Sequence, residues 1–328
     1  MNGFAHKQYR EQGIEVVELS SDKTTLKIAV SLGNTLFSFT RNETELLYFP
    51  FSLEEYKTSG KLAGNPFMHP WANRLEGDHI TIELHKHFFP SDLNKLIYRD
   101  ENGLPIHGLL LKTDKWRTET VEQTESFIYH QAALEFNDPD WLRLFPFEHF
   151  LDMKTYLHED EICIEMGIYN SGDKPMPLSF GFHPYFLIDP LKSVGLQLTI
   201  PMKDVLRVTH QLIPNWSLIP KERLWEFSGN KISLAENYFD HCFTDFTEQK
   251  FFHVEQAPRE FDLHPDDGYQ FVQIYAPNEK DKPYICIEPM QATANALNTN
   301  SCKMLEPGEF TTQEFTISFY DEQLKEKP

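Results

Sequence analysis

The stretch Ile162-Cys-Ile-Glu-Met-Gly-Ile168 has an apolar residue at every second position. Successive side chains of a β-strand point to opposite faces of a sheet, so this spacing predicts a strand with one buried face. The same period of two recurs at residues 26–30, 80–84, 196–200, 272–274 and 315–319. In the second of these runs, Ile80, Ile82 and Leu84 are expected on the buried face. Strands are therefore predicted from one end of the chain to the other.

Helices are predicted to be few and short. The main candidate covers residues 52–61, which begin with the N-cap residue Ser52 and carry Glu54 and Glu55 in the first turn. Many strands without long intervening helices favour an all-β fold in which antiparallel sheets pack face to face. No repeat, low-complexity tract or biased linker interrupts the sequence. We therefore predict a single domain over residues 1–328, with 323–328 as a loose tail.

The composition restricts the partners of the protein. Its 328 residues carry a formal net charge of -20, which disfavours binding to nucleic acid and to anionic membranes. The N-terminal residues lack an apolar segment of signal-peptide length, and no later run approaches a membrane span. We therefore expect a cytoplasmic protein. Its four cysteines are widely spaced without a C-x-x-C pair, so they are expected to be reduced thiols, mostly in the core.

The stretch Pro177-Leu-Ser-Phe-Gly-Phe-His-Pro-Tyr-Phe186 presents one histidine among aromatic rings. Pro184 disfavours a helical conformation at His183, and Gly181 permits close approach of another backbone. These features are typical of a site, although a lone histidine in such a setting is also common as a hydrogen-bonded core residue. The rings available to line a pocket around it are Phe182, Tyr185 and Phe186.

A second stretch, Gly64-Asn-Pro-Phe-Met-His-Pro-Trp-Ala-Asn-Arg-Leu-Glu-Gly77, is rich in turn-forming residues yet groups Trp71, Asn73 and Arg74. The fixed donors of Arg74 suit hydroxyl groups or a carboxylate, and Trp71 offers a flat face to a sugar ring. The alternative is a surface loop whose arginine forms a structural ion pair.

Two shorter stretches carry further candidates. Leu104-Pro-Ile-His-Gly-Leu109 sets His107 in a loop between a proline and a glycine. Asn237-Tyr-Phe-Asp-His-Cys-Phe243 sets Asp240 among aromatic residues, where a buried carboxylate needs hydrogen-bond partners. An ordinary loop histidine and a capping or turn aspartate are the alternatives.

The stretch Tyr284-Ile-Cys-Ile-Glu-Pro-Met-Gln-Ala-Thr-Ala-Asn-Ala-Leu297 reads as a strand that ends at Glu288, because a proline follows at once. If Ile285 and Ile287 face the core, alternation turns Glu288 to the opposite face. A glutamate there is costly unless it is exposed or used in function, and a solvated strand end is the more common case.

Motifs of other reaction classes are absent. The sequence contains no G-x-S-x-G, no G-x-x-x-x-G-K-[ST] and no G-x-G-x-x-G. His85 and His87 would share one face of a strand, but no third ligand has a matching spacing. We therefore predict no metal site.

Taken together and in this order, the stretches resemble the aldose 1-epimerase (galactose mutarotase) family. The segment ending in Asn73 and Arg74 resembles the family's glycine-x-proline segment, which also ends in asparagine-arginine. Gly181-Phe-His-Pro-Tyr-Phe186 is similar to its more specific histidine motif. Shorter resemblances, distributed over most of the chain, are Ile106-His-Gly108, Phe239-Asp-His241, Ile287-Glu-Pro-Met290 and Leu305-Glu-Pro-Gly308.

The resemblance implies a large antiparallel β-sandwich of the galactose mutarotase type. It also implies that the α and β anomers of a free aldose are interconverted by acid–base ring opening and reclosure, without a cofactor. Glu288 then corresponds to the general base and His183 to the general acid. The residues implied as substrate ligands are Arg74, with its neighbour Asn73, His107 and Asp240.

The sugar itself stays open. Residues 88–102 are hard to align with the family, and Met290-Gln-Ala-Thr-Ala-Asn295 departs from its usual proline-containing turn. Only Arg74 among nine arginines lies in these stretches, which favours a neutral aldose over a hexose 6-phosphate. A sugar-binding or sugar-sensing protein without turnover is the alternative from another class. The sequence does not distinguish a monomer from a homodimer.

Overall fold

The computed structural model describes residues 3–189, 195–234, 237–256, 258–277, 279 and 281–319. The tail predicted at residues 323–328 lies outside them. About half of the chain is strand, which confirms the predicted all-β class. No helix among the described residues is long and apolar enough to cross a membrane.

The strands are numbered here in chain order. The first thirteen are β1 (Ala5–Glu11), β2 (Ile14–Ser20), β3 (Thr24–Ala29), β4 (Thr35–Arg41), β5 (Thr44–Glu45), β6 (Phe67–Met68), β7 (His79–Ile82), β8 (His85–Phe88), β9 (Arg117–Gln123), β10 (Ile128–Phe136), β11 (His149–Leu157), β12 (Glu161–Asn170) and β13 (Met176–Leu178). The others are β14 (Gly181–Phe182), β15 (Tyr185–Leu187), β16 (Gln197–Thr199), β17 (Met202–Val208), β18 (Pro214–Pro220), β19 (Lys231–Ser233), β20 (Phe239–Phe246), β21 (Phe252–Glu255), β22 (Phe261–Pro265), β23 (Phe271–Ala276), β24 (Tyr284–Met290), β25 (Lys303–Leu305) and β26 (Phe310–Phe319).

The helices are short, as predicted. They are α1 (Leu53–Thr58), α2 (Pro139–Leu142) and α3 (Ala296–Thr299), with 3-10 turns at Ser91–Leu96 and Lys221–Arg223. Ser52 caps α1 in a capping box with Glu55, so the start of the predicted helix is confirmed. The helix ends at Thr58, three residues before the predicted end.

The strands pair in antiparallel sheets. Nine strands form one sheet in the order β19-β16-β21-β22-β26-β12-β11-β10-β9, and eight form another in the order β18-β17-β20-β23-β24-β14-β6, with β15 also paired to β24. Strands β1 to β5 make a third sheet, and β7-β8 and β13-β25 are two-stranded.

Aromatic contacts show how the two large sheets pack. Phe182 on β14 lies 5.1 Å from Phe315 on β26, measured between ring centroids. Phe186 on β15 lies 4.4 Å from Phe261 on β22. These four rings belong to one core cluster that extends from Phe4 to Ile317. The inner faces of the two sheets therefore share the core of a β-sandwich, and the outer face of the eight-stranded sheet is left to carry other side chains.

One predicted strand is interrupted by a turn. β7 ends at Ile82, and Ile82 pairs with His85 on β8. The two residues between them, Glu83 and Leu84, have φ of 48° and 69°, which is the backbone of a tight hairpin turn. Leu84 is 80% exposed, so its predicted place on a buried face is wrong.

All four cysteines are free thiols, as predicted. Cys242 and Cys286 are buried, while Cys163 and Cys302 are half-buried. The predicted core location therefore holds for two of them.

Candidate active site

A row of polar side chains crosses the outer face of the eight-stranded sheet. Gln273 on β23 lies opposite Glu288 on β24. On the other side of β24, β14 and β15 pair in the same register, which places His183, the first of the two residues between them, opposite Glu288. The His183 Nε2 and Glu288 Oε1 atoms are 3.4 Å apart, and both side chains are buried.

β24 does not end at Glu288, as the sequence predicted, but continues through Pro289 to Met290. Pro289 cannot donate a ladder hydrogen bond, and the register places it opposite Phe182, the last residue of β14, just before that neighbouring strand is interrupted. Ile285 and Ile287 do face the core, so the predicted alternation is confirmed. Glu288 points to the other face but is only 2% exposed, so the solvated alternative is wrong.

Three of the predicted stretches meet beside this row. The His107 amide donates to the Asn73 carbonyl at 2.9 Å, and the Asn295 amide donates to the Arg74 carbonyl at 2.6 Å. His107 has a φ of 62°. Gly108 follows with a φ of +75°. A Cβ atom at this position would lie 2.1 Å from the backbone carbonyl oxygen of His69. Only glycine fits this close approach, which holds the His107 loop against the Arg74 loop.

Arg74 is held by two acceptors. Its Nε donates to Asp100 Oδ2 at 2.8 Å, and Asn73 Oδ1 accepts from both the Arg74 amide and Nη1, at 2.8 and 3.2 Å. Asp100 Oδ1 in turn accepts from the amides of Asn102 and Leu104. Arg74 therefore has a fixed orientation, with donors left on its guanidinium group for a ligand.

Asp240 enters the site from β20. Its Oδ1 accepts a hydrogen bond from Gln273 Nε2 at 2.6 Å. Gln273 thus lies between Asp240 and Glu288, to which it is opposite in the sheet. Gln273 is therefore the hydrogen-bond partner that the sequence analysis required for the Asp240 carboxylate.

The histidines of the site pack ring to ring. His107 meets His183 edge to face, with centroids 5.0 Å apart. Tyr185 stacks flat on the other side of His183, at 4.4 Å and an interplanar angle of 2°. Its hydroxyl lies 3.4 Å from His183 Nε2. The imidazole of His183 is therefore oriented by two rings and faces Glu288.

Burial determines the protonation of the pair. Burial raises the pKa of Glu288 well above its usual value, the charge of Asp240 adds to this, and Arg74 opposes it. Burial lowers the pKa of His183 to about 3, and Arg74 acts in the same direction. Burial therefore favours the protonated carboxyl of Glu288 together with the neutral imidazole of His183, so that the pair shares one proton. Transfer of that proton gives a carboxylate and an imidazolium without changing the total charge.

Burial lowers the pKa of His107 well below its ordinary value, and the proximity of His183 and the charge of Arg74 act in the same direction, which favours the neutral imidazole. A neutral imidazole both donates and accepts hydrogen bonds. Its Nδ1 is buried without a hydrogen-bond partner, which leaves a polar atom for a ligand.

A small cleft lies beside the row. Its polar lining comes from Asn73, Arg74, Asp240, Gln273 and Thr293. The connection between β17 and β18 supplies its apolar wall, which is Val208, Leu212 and Pro214. Among these described lining residues Arg74 is the one cation and Asp240 the one carboxylate. The cleft therefore offers hydroxyl-binding groups next to a pair of residues that can move a proton.

The structure brings together all six predicted site residues: Asn73, Arg74, His107, His183, Asp240 and Glu288. Three aromatic predictions are wrong. Trp71 is only 1% exposed and stacks on Phe89 in the core, with centroids 5.7 Å apart, so it offers no face to a sugar. Phe182 and Phe186 lie in the core between the sheets. Tyr185 is the ring of that stretch that reaches His183.

Two functional candidates were missed by the sequence analysis. Gln273 was assigned only to a strand, although its alternation with Val272 and Ile274 already indicated a polar side chain on the outer face. Asp100 lies in the segment 88–102 that did not align, and no local pattern predicted its contact with Arg74.

The family model described as aldose 1-epimerase matches residues 15–318. This chain belongs to the aldose 1-epimerase family. No curated protein sequence matches it.

Solved structures with the same fold cover nearly the whole chain. A galactose mutarotase-like protein from Clostridium acetobutylicum is 17% identical, with 96% of this chain and 98% of that chain covered and a TM-score of 0.82. A galactose 1-epimerase from Lactobacillus acidophilus is 16% identical, with 98% of each chain covered and a TM-score of 0.74. An aldose epimerase homologue from C. elegans is 16% identical, with 98% and 99% covered and a TM-score of 0.68. At these identities the likeness establishes the galactose mutarotase-like fold.

Proposed function

We propose that the protein is an aldose 1-epimerase that interconverts the α and β anomers of a free, neutral aldose. The observation that carries this proposal is the buried pair of His183 and Glu288, 3.4 Å apart, beside a cleft that contains Arg74 and Asp240. Membership of the aldose 1-epimerase family supports it.

The reaction requires one base and one acid. The base removes the proton of the anomeric hydroxyl, and the acid protonates the ring oxygen as the C1–O5 bond breaks. Rotation about C1–C2 and reclosure from the other face give the other anomer, and the two protons return by the reverse steps. We assign the base to Glu288 and the acid to His183, each contributing roughly 10²–10⁴ in rate.

The resting proton distribution is one transfer away from this reactive form. With Glu288 protonated and His183 neutral, moving the shared proton from Oε1 to Nε2 creates the carboxylate and the imidazolium. Both groups are held at this distance by opposing backbone positions. The low dielectric of the site strengthens the attraction between the two charges once they form.

Substrate binding is assigned to the polar lining of the cleft. Arg74, oriented by Asp100, would donate to sugar hydroxyls, and Asp240, oriented by Gln273, would accept from them. His107 would add a further hydrogen bond. Asn73 holds the guanidinium of Arg74 and lines the same cleft.

A neutral sugar fits the charges of the cleft better than a phosphorylated sugar. A phosphate site usually gathers several cationic donors, whereas Arg74 is the one cation among the described lining residues and is already paired with Asp100. Tighter binding of glucose 6-phosphate than of glucose or galactose would overturn this part of the proposal.

Polarimetry on freshly dissolved single anomers tests the activity. The protein is expected to accelerate the approach to anomeric equilibrium for at least one of glucose, galactose and a small panel of other aldoses. Sugar binding without acceleration would instead establish the sugar-binding alternative. The cytoplasmic location, the single domain and the absence of nucleic-acid and membrane partners stay predictions, since they rest on the sequence.

A further inference from the structure

Cys286 adds a third donor to the central pair. It lies two residues before Glu288 on β24, so both side chains are on the outer face, and it pairs with Tyr185 on β15. The donor atoms of His183, Cys286 and Glu288 all lie within 4.8 Å of one another, and all three residues are buried. No other such group of three His, Cys, Asp or Glu residues is found among the described residues.

These donors match the preferences of a thiophilic divalent cation. Zn²⁺ binds imidazole nitrogen, thiolate sulfur and carboxylate oxygen at about 2.0–2.3 Å in a tetrahedral arrangement, so its donors are about 3.3–3.7 Å apart. The His183 Nε2 to Glu288 Oε1 distance of 3.4 Å is already in this range. The sulfur of Cys286 lies within 4.8 Å of the donor atoms of both residues.

Two further observations favour a ligand at this point. Glu288 Oε2 is buried without a hydrogen-bond partner, and an unsatisfied buried polar atom is costly. A thiolate, a carboxylate and Zn²⁺ also sum to zero charge, and a neutral complex is the form that a buried site tolerates.

We propose that His183, Cys286 and Glu288 form a binding site for a thiophilic divalent cation such as Zn²⁺ or Cd²⁺, which inhibits the protein. The cation is not a cofactor of the reaction. It occupies the imidazole nitrogen and the carboxylate that the proposed proton transfer needs, so metal and catalysis exclude each other. The inhibition rests on the proposed function, whereas the binding does not.

Direct binding is measured with Cd²⁺ alone, added to the full-length protein after removal of metals by a chelator. The expected result is a sulfur-to-cadmium charge-transfer absorption that saturates at one Cd²⁺ per chain and is displaced by Zn²⁺ but not by Mg²⁺. Cys286→Ser should abolish the absorption, and Cys163→Ser, which changes a half-buried cysteine on β12, should retain it. His183→Asn should weaken Cd²⁺ binding about tenfold or more.

An absorption that is absent from the unmodified protein, or that persists in folded Cys286→Ser, would overturn the proposal. If Cys286→Ser does not fold, as judged by its thermal transition, Glu288→Gln supplies the same test, because loss of the carboxylate should weaken Cd²⁺ binding about tenfold or more. Unchanged Cd²⁺ affinity in folded Glu288→Gln would then reject the three-residue site.

Inhibition of anomer exchange by Zn²⁺ is measured separately from Cd²⁺ binding, so that a failure of the metal-site proposal can be distinguished from a failure of the proposed function. Zn²⁺ should slow anomer exchange reversibly, with recovery on addition of EDTA, and Cys286→Ser should require about tenfold more Zn²⁺. Cys286-dependent Cd²⁺ binding in a protein without anomer exchange would reject the epimerase but keep the metal site. Anomer exchange that is insensitive to Zn²⁺, without the absorption, would reject the metal site alone.

Discussion

His183 lies directly opposite Glu288 across neighbouring antiparallel segments, with Nε2 3.4 Å from Oε1. The distance is set by the register of the sheet, because both residues belong to segments whose backbone pairing continues on either side of them. A residue that is flanked on both sides by paired strand segments holds such a geometry more exactly than a residue on a free loop. The two proton-transfer groups are therefore preorganised by the fold.

Replacing Asp100 by asparagine tests whether Arg74 needs to be oriented. The asparagine keeps an oxygen for the amides of Asn102 and Leu104 but turns an NH₂ group toward Arg74 Nε, so the ion pair is lost. We expect KM for the sugar to rise about tenfold, with a smaller change in kcat, since one charge-assisted hydrogen bond is affected. The matched control is Asp92→Asn, which breaks an exposed ion pair with Arg143. Unchanged KM in a folded Asp100→Asn protein would show that Arg74 does not bind the substrate in this orientation.

Asp240→Asn should weaken binding more than turnover. The carboxylate is expected to hold sugar hydroxyls equally in the ground state and the transition state, so its loss should raise KM about tenfold or more and change kcat little. Arg74→Lys should behave in the same way. Steady-state kinetics will separate the two constants, with Asp245→Asn on the same strand as control, because Asp245 pairs with Lys203 at the surface. A loss confined to kcat would assign Asp240 to the chemistry instead.

Stability is expected to fall in mild acid. Among the histidines whose pKa is lowered by burial, five show the largest effect: the pKa falls to about 4 for His130 and His149, to about 3 for His183, and well below the ordinary value for His69 and His107. The unfolded chain takes up protons at these positions below about pH 6.5, while the folded chain does not. The stabilisation is therefore present above about pH 6.5 and is lost progressively as the pH falls toward 4, by about 1.4 kcal/mol per pH unit for each histidine.

Urea unfolding between pH 7 and pH 5 measures this slope. His130→Gln should reduce the pH dependence of the free energy of unfolding by about 1.4 kcal/mol per pH unit, the contribution of one buried histidine. The control is His210→Gln, because His210 is exposed. A pH-independent free energy of unfolding over this range would contradict the neutral state of the buried histidines.

The acid and alkaline limits of kcat/KM should reflect proton binding to the His183–Glu288 pair as a whole, not to either residue alone. The active form holds one proton, so activity falls when a second proton binds on the acid side or the last proton leaves on the alkaline side. Because the pKa of His183 is lowered to about 3, the acid limb should lie well below pH 6.5. The alkaline limb should lie above the ordinary range of a glutamate, since the pKa of Glu288 is raised. An acid limb near pH 6.5 would contradict the buried neutral imidazole.

Much of the fold follows from local pattern. The period of two at Ile162 to Ile168 lies within β12, and Ser52 with Glu55 defines the start of α1. Leu84 shows where such a pattern fails. Alternation continues through a two-residue hairpin turn, so polarity alone does not distinguish the turn from a longer strand.

The site could be predicted only in part, because local sequence pattern does not show which residues meet in the folded chain. His183 and Glu288 stand in distinctive local settings, each before a proline, and resemblance to a family adds to them. Gln273 and Asp100 acquire their roles from contacts with residues that are distant in the sequence: Gln273 from the register of β20, β23 and β24, and Asp100 from a loop that packs on Arg74. Trp71 shows the opposite error. The sequence predicted a sugar-binding role for it, whereas its ring packs on Phe89 in the hydrophobic core.

The central claim is that Glu288 and His183 move protons during anomer exchange. Glu288→Gln keeps the size and hydrogen-bonding capacity of the side chain but cannot act as a base, and His183→Asn cannot act as an acid of the same kind. The measurement is kcat by polarimetry or exchange NMR at saturating sugar, with folding verified. The control is Glu165→Gln on β12, which removes a partly buried ion pair with Lys154. The account predicts a loss of about 100-fold or more in kcat for each variant of the pair and none for the control. Near-normal kcat in folded Glu288→Gln would contradict it.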